Sequence, residues 1–304
     1  MTFSYSIKTE LCDFARRDIT NQKACLYGML MFSRQFSITN ISLHTEHEGV
    51  ATLFVDFINV TFDAGMGIRF SSTTKKNGGT LHSVTIDDED DRRAILSYFG
   101  QADGTINIDI VSGNDECVSA FLRGAFLVSG SATDPSKEYH FEINAPSQAI
   151  CDDMVKLINE QGMAVKGAVR KEMPFLYIKG SEKIEDILTF MGATKSSLKL
   201  MNIKIYKDVR NRVNRTTNCE TANIDKIVTA SVRQVADIEY IIERNSMGLL
   251  DDELVEIAQL RLENPDLSLR ELGQALSTPI SRSSVNHRLT KISKIASDLR
   301  TRMG

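Results

Sequence analysis

Two glycine-centred segments 96 positions apart constrain this chain more than any other feature. Leu26-Tyr27-Gly28-Met29-Leu30-Met31-Phe32-Ser33 and Leu122-Arg123-Gly124-Ala125-Phe126-Leu127-Val128-Ser129 share L-x-G, an apolar run and a closing serine. A second pair of segments agrees. Val84-Thr85-Ile86 leads into a helix ending at Gly100, and Tyr177-Ile178 into one ending at Gly192, the two glycines being 92 apart. Self-similarity at a fixed separation marks a duplicated unit. Each half reads as helix, strands, helix, strand, helix, with alternating strands at Val50–Val60 and Tyr139–Ile143. The expected fold class is α+β: two such halves packed around a pseudo-twofold axis, with an all-α domain behind them.

A chain of 304 residues with 42% hydrophobic side chains has room for two or three domains. The expected divisions are a duplicated body over residues 1–206 (halves about 1–110 and 111–206), a connecting region over 207–249, and a helical domain over 250–304. Lys8, Glu10 and Asp13 interrupt any apolar signal core near the start. The apolar runs Leu26–Phe32 and Ala125–Val128 fall short of the roughly 18 residues that a membrane span needs. Five cysteines at wide spacings, Cys12, Cys25, Cys117, Cys151 and Cys219, form no C-x-x-C pair and suit a reducing cytoplasm. His44 and His47 with Glu46 and Glu48 lie between strand-like segments with no further ligands following, so a solvated loop is expected there rather than a metal site.

The net charge of −4 hides a segregation. Residues 1–194 carry 18 Lys and Arg against 26 Asp and Glu, whereas 195–304 carry 18 against 14. The excess concentrates in 195–228, with 8 against 3, and in 281–304, with 6 against 1. Two patches of net +5 in an otherwise acidic protein point to an anionic partner.

The last fifty residues resolve into three helices. Leu254, Ile257, Ala258 and Leu260 recur at helical spacing behind the acidic start Asp251-Asp252-Glu253, and Asn264-Pro265 ends the segment. Ser268-Leu269-Arg270-Glu271 has the S-x-x-E form of a capping box, with Leu269, Leu272 and Leu276 as the apolar stripe behind it. A turn, Ser277-Thr278-Pro279-Ile280, leads to Ser281 as N-cap, and Val285, Leu289, Ile292 and Ala296 follow at i, i+4, i+7 and i+11. Three short helices with a tight turn between the second and third form a helix-turn-helix, whose third helix enters the major groove. The candidate DNA contacts are Ser268, Arg270, Ser281, Arg282, Ser283, Asn286, His287, Arg288, Thr290, Lys291 and Lys294. Asn pairs with adenine edges, Arg with guanine, and Lys and Ser with phosphate oxygens.

Asn223–Arg244 reads as one long helix with an apolar stripe through Ile224, Ile227, Val228, Ser231, Val235, Ile238, Ile241 and Ile242. Before it, Arg210, Asn211, Arg212, Asn214, Arg215 and Asn218 alternate without an apolar period, which predicts a loop of hydrogen-bond donors. With Asn223 and Lys226 they form a second contact, either to DNA or to a protein partner.

The L-x-G repeats resemble the LAGLIDADG helices of homing endonucleases, in which paired helices pack glycine against glycine and each presents an acid to a metal ion. In this chain Ser33 and Ser129 stand at those acid positions, and Met31 and Leu127 at the motif's other acidic position. A neutral hydroxyl cannot supply the charge that a hard magnesium ion requires, so no catalytic residue, metal or cofactor is expected. With that departure, the full length resembles the WhiA family. The resemblance rests on Leu122–Leu127 with Gly130-Ser131, on Asp134-Pro135 and Tyr139-His140, and on Arg210-Asn211 through Asn214-Arg215. It continues through Asn218-Cys219-Glu220 with Ala222-Asn223, Ser268–Gly273 and Val285–Leu289. It implies a degenerate LAGLIDADG body, a helix-turn-helix similar to the promoter-reading module of sigma factors, and a transcription regulator of sporulation or of cell division and chromosome segregation. Its partners would be double-stranded DNA and a sigma factor or RNA polymerase, and its place the nucleoid. An active endonuclease or RNA maturase and a protein scaffold without nucleic acid are the competing readings. The missing acids oppose the first and the basic patches the second.

Overall fold

The computed structural model describes residues 2–62, 65–76, 78–100 and 105–303, without the side chains of 302 and 303. The chain divides into two compact units, Met1–Asp208 and Val209–Gly304. The first begins with α1 (Phe3–Arg17), whose Thr2 hydroxyl accepts from the Tyr5 amide, and a 3-10 turn at Ile19–Asn21. Then follow α2 (Gln22–Met31), β1 (Gln35–Phe36), β2 (Ile41–Thr45), α3 (Glu48–Thr61), β3 (Ile68–Thr74), β4 (Thr80–Ile86) and α4 (Glu89–Phe99). A single turn, α5 (Ile108–Val111), precedes the second round: α6 (Asp115–Ser129), β5 (Gly130–Ala132), β6 (Phe141–Asn144), α7 (Gln148–Glu160), β7 (Lys166–Arg170), β8 (Met173–Ile178) and α8 (Ser181–Met191).

The duplication predicted from the glycine segments is present in every element. Each round is helix, two strands, helix, two strands, helix, and each sheet is antiparallel with the same order, β1-β2-β4-β3 and β5-β6-β8-β7. At the seam α2 and α6 approach until no side chain fits between them. A Cβ at Gly28 would lie 2.1 Å from the Phe121 carbonyl oxygen, and one at Gly124 would lie 2.1 Å from that of Cys25. The contact is reciprocal, because each glycine meets the residue three positions before the other. Leu26, Tyr27, Met29, Leu30, Phe121, Leu122, Ala125 and Phe126 are fully buried around it, and close packing of this kind leaves no slack for an added methyl group.

One sequence expectation fails here. Val50–Val60 is no strand; it lies within α3. Its buried residues, Val50, Ala51, Leu53, Phe54, Phe57 and Ile58, follow the 3.6-residue period. Val, Ile and Phe lent the segment a strand-like composition, but spacing decides which face is buried, and tertiary packing overrides propensity.

The last helix of the first unit starts α9 (Thr194–Glu243), a run of 50 residues. Its first amides are met from α1: the Glu10 carboxylate accepts from the Lys195 and Ser196 amides at 2.6 and 2.9 Å, placing negative charge where free N–H groups and the helix dipole favour it. The Arg/Asn segment is therefore not the loop predicted. Arg210 through Asn218 are helical and exposed throughout, and the long helix predicted from Asn223 begins about thirty residues earlier. With nearly all side chains in solvent, no buried face announced the period.

The second unit holds the C-terminal part of α9, a 3-10 turn at Met247–Leu249, α10 (Asp252–Glu263), α11 (Leu269–Ala275) and α12 (Arg282–Met303). Its core joins Leu254, Ile257, Leu272, Leu276, Val285, Leu289 and Ile292 to Ile238 and Ile241 of α9. The helix-turn-helix thus leans on α9 for part of its interior, and 250–304 alone would leave that side open. Two polar links add to it: Ser231 Oγ donates to the Pro265 carbonyl, and Arg300 Nη1 lies 2.7 Å from the buried Asp237 carboxylate.

Candidate nucleic-acid interface

The capping box is formed as predicted: Ser268 Oγ accepts from the Glu271 amide, and the Glu271 carboxylate accepts from the Ser268 amide at 2.8 Å, which holds the Glu271 carboxyl below its ordinary range. Asp251 caps α10 by accepting from the Leu254 amide at 3.0 Å. Ser281 does the same for α12, accepting from the Ser284 amide at 3.2 Å. Between α11 and α12 the chain passes so close that a Cβ at Gly273 would lie 2.5 Å from the Ile280 carbonyl oxygen. That approach sets α12 against α11, and Val285, Leu289, Ile292 and Ala296 are buried along the predicted stripe.

The candidate DNA contacts separate into two groups. Arg270, Arg282, Ser283, Asn286, His287 and Lys294 are exposed. The others are partly committed inside the domain. Ser268 and Ser281 serve as caps, and Thr290 Oγ1 donates to the Asn286 carbonyl at 2.7 Å. Arg288 pairs with Glu253 at 2.5 Å and Lys291 with Asp251 at 2.9 Å, both tying α12 to the start of α10. Lys291 also helps to hold the Asp251 carboxyl below its ordinary range, with the Leu254 amide and Arg288.

Within this unit α9 borders α12, which the sequence did not reveal. One cleft of about 530 Å³ brings Asn223 and Lys226 of α9 together with Arg270 of α11 and Arg282 and Asn286 of α12. An adjoining one of about 560 Å³ adds Arg233 and Gln234 beside Thr290 and Ser293. Arg233 and Gln234 were not among the predicted contacts; their helical spacing from Lys226 and Ala230 is the signal that could have found them. Arg261 forms the cleft's inner wall: it is buried, its Nη1 donates to the Pro265 and Leu267 carbonyls, and burial lowers its basicity. Asn211, Arg215, Asn218 and Lys226 recur along α9 at helical spacing and share one face, with Arg212 three residues before Arg215. Asn214 lies at the other edge of that face, beside Asn211 and Asn218, whereas Arg210 turns away from it.

In the first unit the hydroxyls at the positions of the motif acids are engaged with the backbone. Ser33 is buried and its hydroxyl lies 2.7 Å from the Leu30 carbonyl and 3.1 Å from that of Gln35. Ser129 Oγ donates to the Ala125 carbonyl at 3.2 Å, and Met31 and Leu127 are buried in the core. His44 and His47 do not converge. His44 Nδ1 lies 2.9 Å from Ser83 Oγ, whereas His47 is buried, stacks on Tyr5 and meets Thr9 Oγ1 at 3.0 Å. Burial, helped by the charge of Lys8, keeps the His47 imidazole below its ordinary basicity. Among the described residues no helix is long and apolar enough to cross a membrane.

Residues 118–210 match the model of the WhiA LAGLIDADG-like domain and residues 213–296 that of the WhiA C-terminal HTH domain. Probable cell division protein WhiA of Clostridium botulinum is 35% identical and that of Clostridium perfringens 38% identical, in each case over 99% of this chain and 99% of the relative. Full-length WhiA (DUF199) of Thermatoga maritima, a crystal structure, has the same fold, with a TM-score of 0.59 and 23% identity over 98% of this chain and 99% of that one. A duplicated body with its glycine seam, a helix-turn-helix on a long helix, and relatives matched end to end place this chain in the WhiA family.

Proposed function

We infer that the protein is a non-catalytic, DNA-binding transcription regulator of cell division and chromosome segregation, acting at the nucleoid in the cytoplasm. The observation that carries this reading is the cleft of the second unit, where Lys226, Arg270 and Arg282 surround the exposed Asn286 at the start of α12. Three cations position a phosphate backbone, and an asparagine on the adjoining turn of a recognition helix reads an adenine edge. His287, Ser283 and Lys294 extend the same exposed surface. Arg288 and Lys291 would reach DNA only by leaving their carboxylates, so they rank below Arg270 and Arg282 as contacts.

Against strand cleavage stand the two serines at the acid positions of the motif, both engaged with backbone carbonyls. A protein partner such as a sigma factor or RNA polymerase suits the exposed face of α9 as well as phosphate does, and the salt dependence considered below separates the two.

The test is selection of a duplex by the full-length protein from a random pool, followed by affinity measurement on selected and random DNA. Asn286→Ala and His287→Ala should each cost about 1 to 3 kcal/mol on the selected site and little on random duplex. Equal losses on both would assign these residues to the backbone. Magnesium-dependent nicking that follows the protein through chromatography would return the chain to the endonucleases.

A further inference from the structure

The part of α9 that lies in the second unit carries an exposed apolar stripe. Val209, Val213, Ile224 and Val228 are 57, 57, 59 and 52% exposed. They follow one face of the helix, with Thr217 and Glu220 continuing it through the middle. Isolated exposed apolar residues are ordinary, whereas several aligned on one helix face mark a contact surface.

The order of the row identifies its occupant. Placed antiparallel to itself about a point between Asn218 and Cys219, the helix sets Val209 opposite Val228 and Val213 opposite Ile224, with Thr217 opposite Glu220 across the centre. The same register brings Arg210 beside Asp225, one flank against the like flank, as a twofold axis requires. Ile224 and Val228 also line a groove of about 560 Å³ beside Pro265 and Asp266, whose lining includes no Lys or Arg.

We propose that α9 is a self-association surface, through which two copies of this chain pair by antiparallel contact of the Val209–Val228 stripe. The inference is independent of the DNA-binding reading. The face bearing Asn211, Arg215, Asn218 and Lys226 points away from the stripe and stays free in the pair. A twofold dimer presents two helix-turn-helix units, the arrangement that paired half-sites require.

Sedimentation equilibrium of the full-length protein tests it without DNA. The expected result is a monomer–dimer equilibrium whose dissociation constant rises at least tenfold in Val213→Asp and in Ile224→Asp. Both positions are exposed, so thermal melting of the variants should match that of the parent. Val213→Ser and Ile224→Ser are milder versions should either fail to fold. Arg210→Asp and Asp225→Arg should each weaken the dimer, and the double variant should restore it. A monomer throughout the soluble range overturns the proposal. So does a dimer indifferent to Val213→Asp and Ile224→Asp, or a charge exchange that fails to rescue.

Discussion

At Ser33 the absence of an acid is built into the surroundings. The hydroxyl is buried within hydrogen-bond distance of two carbonyl oxygens, so a carboxylate placed there would face the lone pairs of both. Ser33→Asp is expected to destabilise the protein by about 1 to 3 kcal/mol, read from chemical denaturation, and to bring no magnesium-dependent cleavage. A variant that keeps its stability and nicks DNA would show that the site is one substitution from a nuclease. Buried Arg123 follows the same physics with the opposite outcome. Its Nη1 lies 3.0 Å from the Asp18 carboxylate, its Nε donates to the Met191 carbonyl at 2.8 Å, and its guanidinium stacks on Phe14. A charge enclosed in this way is tolerated because a carboxylate, a carbonyl and an aromatic face meet it.

Among the elements, α9 turns what read as a loop into a surface with distinct faces, and this changes what its arginines can do. Three phosphate contacts would be available to a flexible segment, but a straight helix offers one face at a time. Arg212 and Arg215 are neighbours at i and i+3, while Arg210 lies towards the other side. Replacing Arg212 and Arg215 with Gln should therefore lower the slope of log affinity against log salt by about 0.9 per contact, about 1.8 in all, while Arg210→Gln leaves it nearly unchanged. Folding stability should hardly move, because exposed arginines contribute little to it. An unaltered slope in the folded double variant would assign this face to a protein partner. The elements legible in the sequence were those written in short-range chemistry: the S-x-x-E box at Ser268, the acidic helix start at Asp251-Asp252-Glu253, and the period of Val285, Leu289, Ile292 and Ala296. The segments misread were those whose evidence lies elsewhere in space. Val50–Val60 looked like a strand until its buried face was counted in fours, and Arg210–Asn218 looked irregular because solvent surrounds it. The meeting of Lys226 with Arg270 and Arg282 had no local signature at all, since it depends on how α9 packs over α10 to α12.

For the molecule as a whole, two cores that share no buried residue imply two units able to fold separately. Residues 209–304, which keep Ile238 and Ile241 beneath the helix-turn-helix, should give a cooperative thermal transition. A fragment beginning at residue 250 should melt lower and less sharply, because the apolar side that those isoleucines cover would be exposed. Equal transitions for the two fragments would show that α9 is only a tether.

The glycine seam between α2 and α6 carries a consequence for how this body could have arisen and how much dissection it withstands. Each half brings its own four-stranded sheet and its own share of the joint, and neither needs the peptide bond that links them to recognise the other. A gene cut between the halves, expressed as two pieces, would be expected to yield a body that reassembles by complementation, much as two separate chains would have met before their fusion.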